Sequence, residues 1–300
     1  MLAITVDIED WYHIPSVTGS PFSKYRDVDE FFSKWEGRYD YLTEPALRVL
    51  DILDSFNIRA TFFVVADVTE HYPGLVRQIS EHGHEIACHG LHHACKIHPK
   101  TKELLMTKEQ FEENTRQAKQ VLERETGSEV VGYRAPAAYI AGWMLDSLEK
   151  IGFKYDSSIC ANSFYNKTDS SLRGVGTSPY HPRRGSLEPG GKREILEIPW
   201  SYLKLGLTFP TGGGPMLRFL GARYIMLGLE QSMKRGDSVF YFHPIDISNE
   251  GFPSAFSPKR PFYWIIKGKK VEKRIQQILG KIPKGNHTCA EILNAYDQTL

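Results

Sequence analysis

A chain of 300 residues, 41% hydrophobic and 24% charged, holds enough apolar mass for one large core, which excludes a disordered tail, a collagen-like repeat and a small disulfide scaffold. Lys+Arg 37 against Asp+Glu 36 leaves a formal charge of +1, so no broad positive field exists to hold a nucleic acid or an anionic membrane by counterion release. No stretch approaches the ~20 apolar residues of a membrane span, and Met1-Leu2-Ala3-Ile4 opens without a basic, cleavable leader, so a soluble cytoplasmic protein is expected. Cys88, Cys95, Cys160 and Cys289 form no Cys-x-x-Cys pair, and reduced thiols are expected in place of a zinc ribbon or a disulfide frame.

Short apolar runs alternate with amphipathic ones through the first half. Leu2 to Asp7 reads as a strand. Thr43-Glu44-Pro45 opens a helix, with Thr as N-cap and Pro in the first turn, and Leu47, Leu50, Leu53 and Phe56 recur at three-residue spacing before Asn57 closes it. Ala60 to Val65 is a second strand. Pro73 to Glu81 gives a helix, Glu85 to His89 a strand, and Thr107-x-x-Gln110 a capping box for a long helix running to Gly127. Val130 to Arg134, Gly142 to Ile151 and Ser238 to Phe242 follow as strand, helix and strand. Strands apolar on both faces and separated by helices mean parallel βαβ units, and about seven of them favour a distorted (β/α) barrel over an open sheet. No repeat or low-complexity linker divides the chain, so a single α/β domain over residues 1–300 is expected, with long loops at about 160–217 and a C-terminal helical extension at about 260–300.

In a parallel α/β fold, ligand sites lie at the carboxyl ends of the strands. Asp7, Glu9 and Asp10 end the first strand, His89 the third, Arg134 the fourth and His243 the last, so one mouth gathers them. His89 and His93 stand four apart, and a helical turn after the strand points both imidazoles the same way, as two ligands of one divalent metal must. With a carboxylate they leave coordination positions open, the pattern of a catalytic zinc and not of a structural one. His84 and His92 point elsewhere and read as supporting or surface groups.

Taken together, Thr5-Val6-Asp7, His89-Gly90-Leu91-His92-His93, Arg134-Ala135-Pro136, Asp156-Ser157-Ser158 and Tyr241-Phe242-His243 resemble, in order, the motifs of the metal-dependent polysaccharide deacetylases. This is carbohydrate esterase family 4, whose nodulation-factor deacetylase homology domain is a distorted barrel. The Val-Asp-Ile-Glu-Asp-Trp opening, the Gly-Tyr-Arg-Ala-Pro loop and Glu197-Ile198-Pro199 look most like the bacterial branch tied to exopolysaccharide and surface-glycan loci, with peptidoglycan deacetylases and an allantoinase-like group nearby. The resemblance implies Asp7 as the base that takes a proton from the attacking water, His89 and His93 as metal ligands, and His243 as the acid that protonates the leaving amine. Arg134 is then expected to keep Asp7 ionised, and Asp156 to orient the His243 imidazolium. Where the family places a Tyr whose backbone N–H helps form the oxyanion hole, Ala137 stands, which a backbone role tolerates.

The first motif departs from the family's adjacent aspartates. Strand alternation puts Asp7 and Glu9 on one face, and Asp10 reaches the same site only where the strand bulges or turns. Glu9 and Asp10 are both candidates for the third ligand; Asp10 is expected, because the strand should already be breaking before Trp11. Tyr241 replaces the usual Leu of the acetyl pocket. Trp11, Trp143, Trp200, Tyr139 and Tyr202 are candidates for sugar-stacking walls or for barrel core. Thr211-Gly212-Gly213-Gly214-Pro215 lacks the Gly-Lys-Ser/Thr of a phosphate loop and reads as a flexible turn, with Arg218 or Arg183-Arg184 as phosphate partners only for a phosphate-linked sugar. The expected protein removes acetyl from an N-acetylated amino sugar or glycan precursor with one divalent metal ion, zinc by preference. It has no nucleic-acid partner and no transmembrane segment, and a homo-oligomer is allowed. The alternatives are a hydrolase of a linear or cyclic non-sugar amide and a non-catalytic glycan-binding relative.

Overall fold

A computed structural model describes residues 1–14, 17–18, 23–34, 40–94, 98, 101, 105–161, 168, 171–250 and 266–298. The expectation for Cys95 and parts of the expected loop and C-terminal regions fall outside them. Seven strands form one parallel sheet, in the order Ser238–Phe242, Leu2–Ile8, Thr61–Val64, Glu85–Cys88, Gly132–Tyr133, Tyr155–Asp156, Leu196–Glu197. The sheet curls as a half-barrel, and its two outer strands do not pair with each other among the described residues. Other chain segments cover both edges instead: Tyr180 bridges Glu197, and Gly213 bridges Tyr241.

The period of two along each strand separates two faces. Ile4, Val6, Ile8, Phe62, Val64, Cys88 and Phe240 point outward into the helix-covered core. Ala3, Phe63, Ala87, Leu196 and Val239 line the inner side, where Cys289, Ile292 and Leu293 of the helix Cys289–Asp297 pack against them. Glu85 fixes that helix by accepting the Ala290 N–H at 3.1 Å, while Thr61 and Tyr155 hydroxyls donate to the same carboxylate at 2.5 and 2.7 Å. The C-terminal extension is therefore part of the sheet's underside.

The helices follow the residue signals closely. The helix Lys108–Thr126 starts at the Thr107–Gln110 capping box and stops at Gly127, which takes φ 68°. The helix Thr43–Ser55 differs at its start: Thr43 is already helical, and its N–H is held by Asp40 Oδ1 at 3.0 Å. The 160–217 region, expected as loops, contains the sheet strand Leu196–Glu197 and a hairpin of Tyr202–Leu205 with Leu207–Pro210. After it the helix Gly214–Met233 begins. Among the described residues no helix is long and apolar enough to cross a membrane.

The triple glycine is a packing device. The Tyr241 N–H donates to the Gly212 carbonyl at 2.5 Å, and Gly213, at φ 144°, lies so close that a Cβ there would collide with the Tyr241 carbonyl oxygen. Gly213→Ala is expected to lower stability by at least ~2 kcal/mol in urea unfolding, because strand backbone and not a flexible side chain has to move. An unchanged midpoint would refute this close approach.

Candidate metal centre and active site

Parallel register carries the ionisable residues to one end of the sheet. Thr5 is level with Tyr241 and Val6 with Phe242, so Asp7 and His243 follow side by side. Cys88 is level with Tyr133, which sets His89 beside Arg134. The structure thus brings together Asp7, Glu9, His89, His93, Arg134 and His243, all nearly or fully buried except the partly buried His243.

Glu9 is the hub. Its Oε1 lies 2.9 Å from His89 Nε2, 3.0 Å from His93 Nε2 and 3.8 Å from His243 Nε2. His89 Nδ1 lies 2.8 Å from the Arg134 carbonyl, which is an acceptor only, so Nδ1 donates there and Nε2 is the ring atom turned toward Glu9. One carboxylate oxygen and two imidazole nitrogens thus converge on one spot. Ligand atoms of Glu9, His89 and His93 all lie within 4.8 Å of one another, and imidazole with carboxylate fits a divalent transition metal. The His89–carbonyl bond fixes the orientation of that imidazole, as such bonds do for histidines that hold metals. Burial opposes the Glu9 charge, yet His93, His243 and His89 hold its carboxyl well below the usual range. His93 arrives not by a helical turn but by an irregular one, with Gly90 at φ 83° and His93 itself at φ 53°.

The expectation for Asp10 is corrected. Strand alternation persists through Glu9, and Asp10 turns to the other side, where it caps the short turn Trp11–His13: its Oδ1 accepts the Trp11 N–H at 2.5 Å and its Oδ2 accepts the Tyr72 hydroxyl. Burial, against these hydrogen bonds, pushes its carboxyl up to about 7. His13 and Asp67, which belong to no motif, lock the turn further with His92. His13 Nδ1 accepts the Asp10 N–H at 3.1 Å and its Nε2 meets Asp67 at 2.8 Å, while His92 holds the other Asp67 oxygen at 3.0 Å. The His13 ring lies 5.9 Å from that of His93. His84 lies at the opposite end of its strand, accepting the Ala60 N–H at 3.2 Å.

Arg134 sits where it was expected. Its Nη1 donates to Asp7 at 2.6 Å and to Thr5 Oγ1 at 2.9 Å, its Nε to the Ser157 carbonyl at 2.9 Å, and its guanidinium lies 3.9 Å over the Phe63 ring. The expectation for Asp156 is corrected: it faces Glu197 and Ser158, and the carboxylate at His243 is Asp246. Asp246 Oδ2 lies 3.2 Å from His243 Nδ1 and accepts the His243 N–H at 2.8 Å, while its other oxygen is ion-paired with the buried Arg218. The signal was legible, since His243-Pro244-Ile245-Asp246 has the spacing of a cap with Pro at the first helical position. Burial pulls the His243 imidazole down, but the carboxylates of Glu9, Asp246 and Asp7 outweigh it and raise it to about 9.

Beyond Arg134 the chain enters a strained turn, in which Ala137 and Ala138 take φ 53° and 57°, a region L-residues avoid. Of the aromatic candidates, Trp11 is core, and Trp143 packs on Phe111. Trp200 stacks near Tyr241 at 4.6 Å and donates its Nε1–H to the Ser157 carbonyl at 2.8 Å, so it lines the floor behind Arg134. Tyr139 and Tyr202 are nearly buried, Tyr202 beneath the Arg235 guanidinium. Arg218 is paired with Asp246, and Arg183 and Arg184 pair with Glu188 and Glu149.

The sequence model of the polysaccharide deacetylase family matches residues 39–155, and a second, described as a domain of unknown function, matches residues 166–288. The first span holds His89, His93 and Arg134, and the second holds Glu197, His243 and Asp246; strands from both lie in the one sheet. A peptidoglycan deacetylase of Helicobacter pylori (strain ATCC 700392 / 26695) is 29% identical over 117 residues, 39% of this chain and 38% of its own length, so the chain spans well under two thirds of that relative. A Mycobacterium smegmatis crystal structure assigned as a polysaccharide deacetylase superposes with a TM-score of 0.60 at 20% identity, over 100% of this chain and 91% of the other. The PuuE allantoinase gives 0.55 at 16%, over 99% and 90%. At these identities the two structures share the fold.

Proposed function

Since this chain carries a domain of the polysaccharide deacetylase family, we propose that it is a metal-dependent hydrolase that removes acetyl from an N-acetylated amino sugar in a cytoplasmic precursor of a surface glycan or exopolysaccharide. The observation that carries this reading is the convergence of Glu9, His89 and His93 on one spot, with Asp7–Arg134 on one side and His243–Asp246 on the other. We take residues 1–300 as one catalytic domain, because the ligands and the proposed acid come from its two halves.

Glu9, His89 and His93 would hold the metal, zinc by preference; when bound, such an ion lowers the pKa of water from 15.7 toward ~7 and polarises a carbonyl. Asp7, held and aimed by Arg134, accepts the proton of the attacking water. His243 presents Nε2 to the same space, 3.9 Å from Asp7 Oδ2, and gives its proton to the leaving nitrogen, which departs poorly as an anion. Asp246 steadies the imidazolium through Nδ1. A net charge of +1 suits a neutral amido sugar better than a polyanion.

Metal analysis of the purified protein with an acetate-release assay on N-acetylated amino sugars tests the reading. About one equivalent of divalent metal per chain and metal-dependent acetate release are expected. Bound metal, no acetate from any amino sugar and turnover of a cyclic amide or ureide would replace it by the allantoinase-like alternative; no metal at all would point to the non-catalytic one.

A further inference from the structure

Two buried carboxylates play no part in the chemistry described so far. Asp156 and Glu197 are register partners on adjacent parallel strands, and both are fully buried. Asp156 Oδ1 accepts the Ser158 hydroxyl at 2.7 Å, and Glu197 Oε1 accepts the Ile159 N–H at 3.1 Å. Asp156 Oδ2 and Glu197 Oε2 are buried and have no hydrogen-bond partner at normal geometry among the described residues. Arg134, the cation facing the pair, commits its donors to Ser157, Thr5 and Asp7. The other titratable neighbours, Tyr133 and Tyr180, stay neutral phenols, and the Tyr180 hydroxyl donates to the Leu187 carbonyl at 2.7 Å. Two carboxylates in a dry interior with no cation of their own do not both keep a charge. Burial pushes both carboxyls up, and the neighbouring Asp156 adds to the effect on Glu197.

We propose that Asp156 and Glu197 share one proton between Oδ2 and Oε2, and that the resulting acid pair is the positioning unit that aims Arg134 at Asp7. The route is continuous. Ser158, bonded to Asp156, accepts the N–H of Ala135 at 2.8 Å, directly beside Arg134. Ile159, bonded to Glu197, closes the far end of the segment whose first residue, Ser157, receives Arg134 Nε at 2.9 Å and Nη2 at 3.2 Å. The pair thus clamps residues 157–159, the clamp orients the guanidinium, and the guanidinium holds the base. The positioning half rests on the deacetylase reading above; the shared proton does not.

Urea unfolding of the full chain across pH tests the proton. Unfolded carboxyls titrate near pH ~4, so above that the native state holds a proton that the unfolded chain has released, and this contribution to stability falls as pH rises toward the raised native value. Glu197→Gln supplies an N–H to Asp156 in place of the acid proton. Its stability is expected to decline less steeply than wild type between about pH 6 and 8, by close to one proton. Equal slopes would overturn the shared proton. Glu197→Ala, lacking the donor, is expected to lower kcat ~10-fold with KM little changed, while Glu197→Gln stays within about twofold of wild type. A Gln variant as slow as Ala, or an Ala variant as fast as wild type, would overturn the positioning role. Should no amino sugar turn over, the deacetylase reading falls and the Trp200 indole N–H resonance decides the positioning instead. It reports on the Ser157 carbonyl and is expected to move in Glu197→Ala but not in Glu197→Gln.

Discussion

Glu9→Ala is expected to abolish stoichiometric metal binding and to lower turnover at least ~1000-fold, whereas Asp10→Asn keeps wild-type metal content and most of the activity. The two residues are neighbours in sequence with opposite surroundings. Glu9 meets both histidines at 2.9 and 3.0 Å, so its removal leaves His89 and His93 without their anionic partner. Even outer-shell partners of metal sites typically contribute 10–100-fold to affinity, and a direct ligand exceeds that. Asp10 instead accepts the Trp11 N–H on Oδ1 and the Tyr72 hydroxyl on Oδ2; an asparagine carbonyl still accepts the first, and its amide N–H donates to the Tyr72 hydroxyl oxygen in place of the second. The expected cost of Asp10→Asn is about 1 kcal/mol in stability, the scale of a weakened cap. Metal content by elemental analysis, read beside acetate release, decides between them. Wild-type metal in Glu9→Ala, or loss of metal in Asp10→Asn with the fold intact, would move the third ligand back to Asp10.

That contrast marks where residue order was informative and where it stopped. Apolar runs bounded by helix signals locate every strand of the seven-stranded sheet except Tyr155–Asp156 and Leu196–Glu197, and the rule that ligands gather at strand carboxyl ends puts Asp7, His89, Arg134 and His243 together from residue order alone. The half-barrel's edges were harder to read. They are closed by Gly213 and Tyr180, single bridges that carry no periodic pattern. Which acid faces the two histidines turned on whether the first strand keeps its alternation through residue 9, and the capping turn that aims Asp10 away depends on His13 and Asp67, which are 54 residues apart. Asp156 misled because an Asp-Ser step at a strand end looks the same whether its carboxylate faces an imidazole or another acid. Only the neighbouring strand, which brings Glu197 level with it, distinguishes the two.

His243→Ala is expected to lower kcat on the order of 1000-fold and Asp246→Asn on the order of 100-fold, while Asp156→Asn changes it by less than about tenfold. Protonation of the departing nitrogen needs an imidazole that is charged, correctly turned and within reach, and each condition has a separate source. Charge comes from the surrounding carboxylates, which raise His243 to about 9 against the pull of burial. Orientation comes from Asp246, bonded to both the main-chain N–H and Nδ1 of His243 and itself anchored by Arg218. An asparagine there keeps the size but weakens the hold on the Nδ1 proton, so the ring loses its fixed orientation more than its place. The measurement is kcat with metal content checked in each variant, because His243 also lies 3.8 Å from Glu9 and a lost metal would mimic a lost acid. A slow Asp156→Asn beside a fast Asp246→Asn, both fully metallated, would return the orienting role to Asp156.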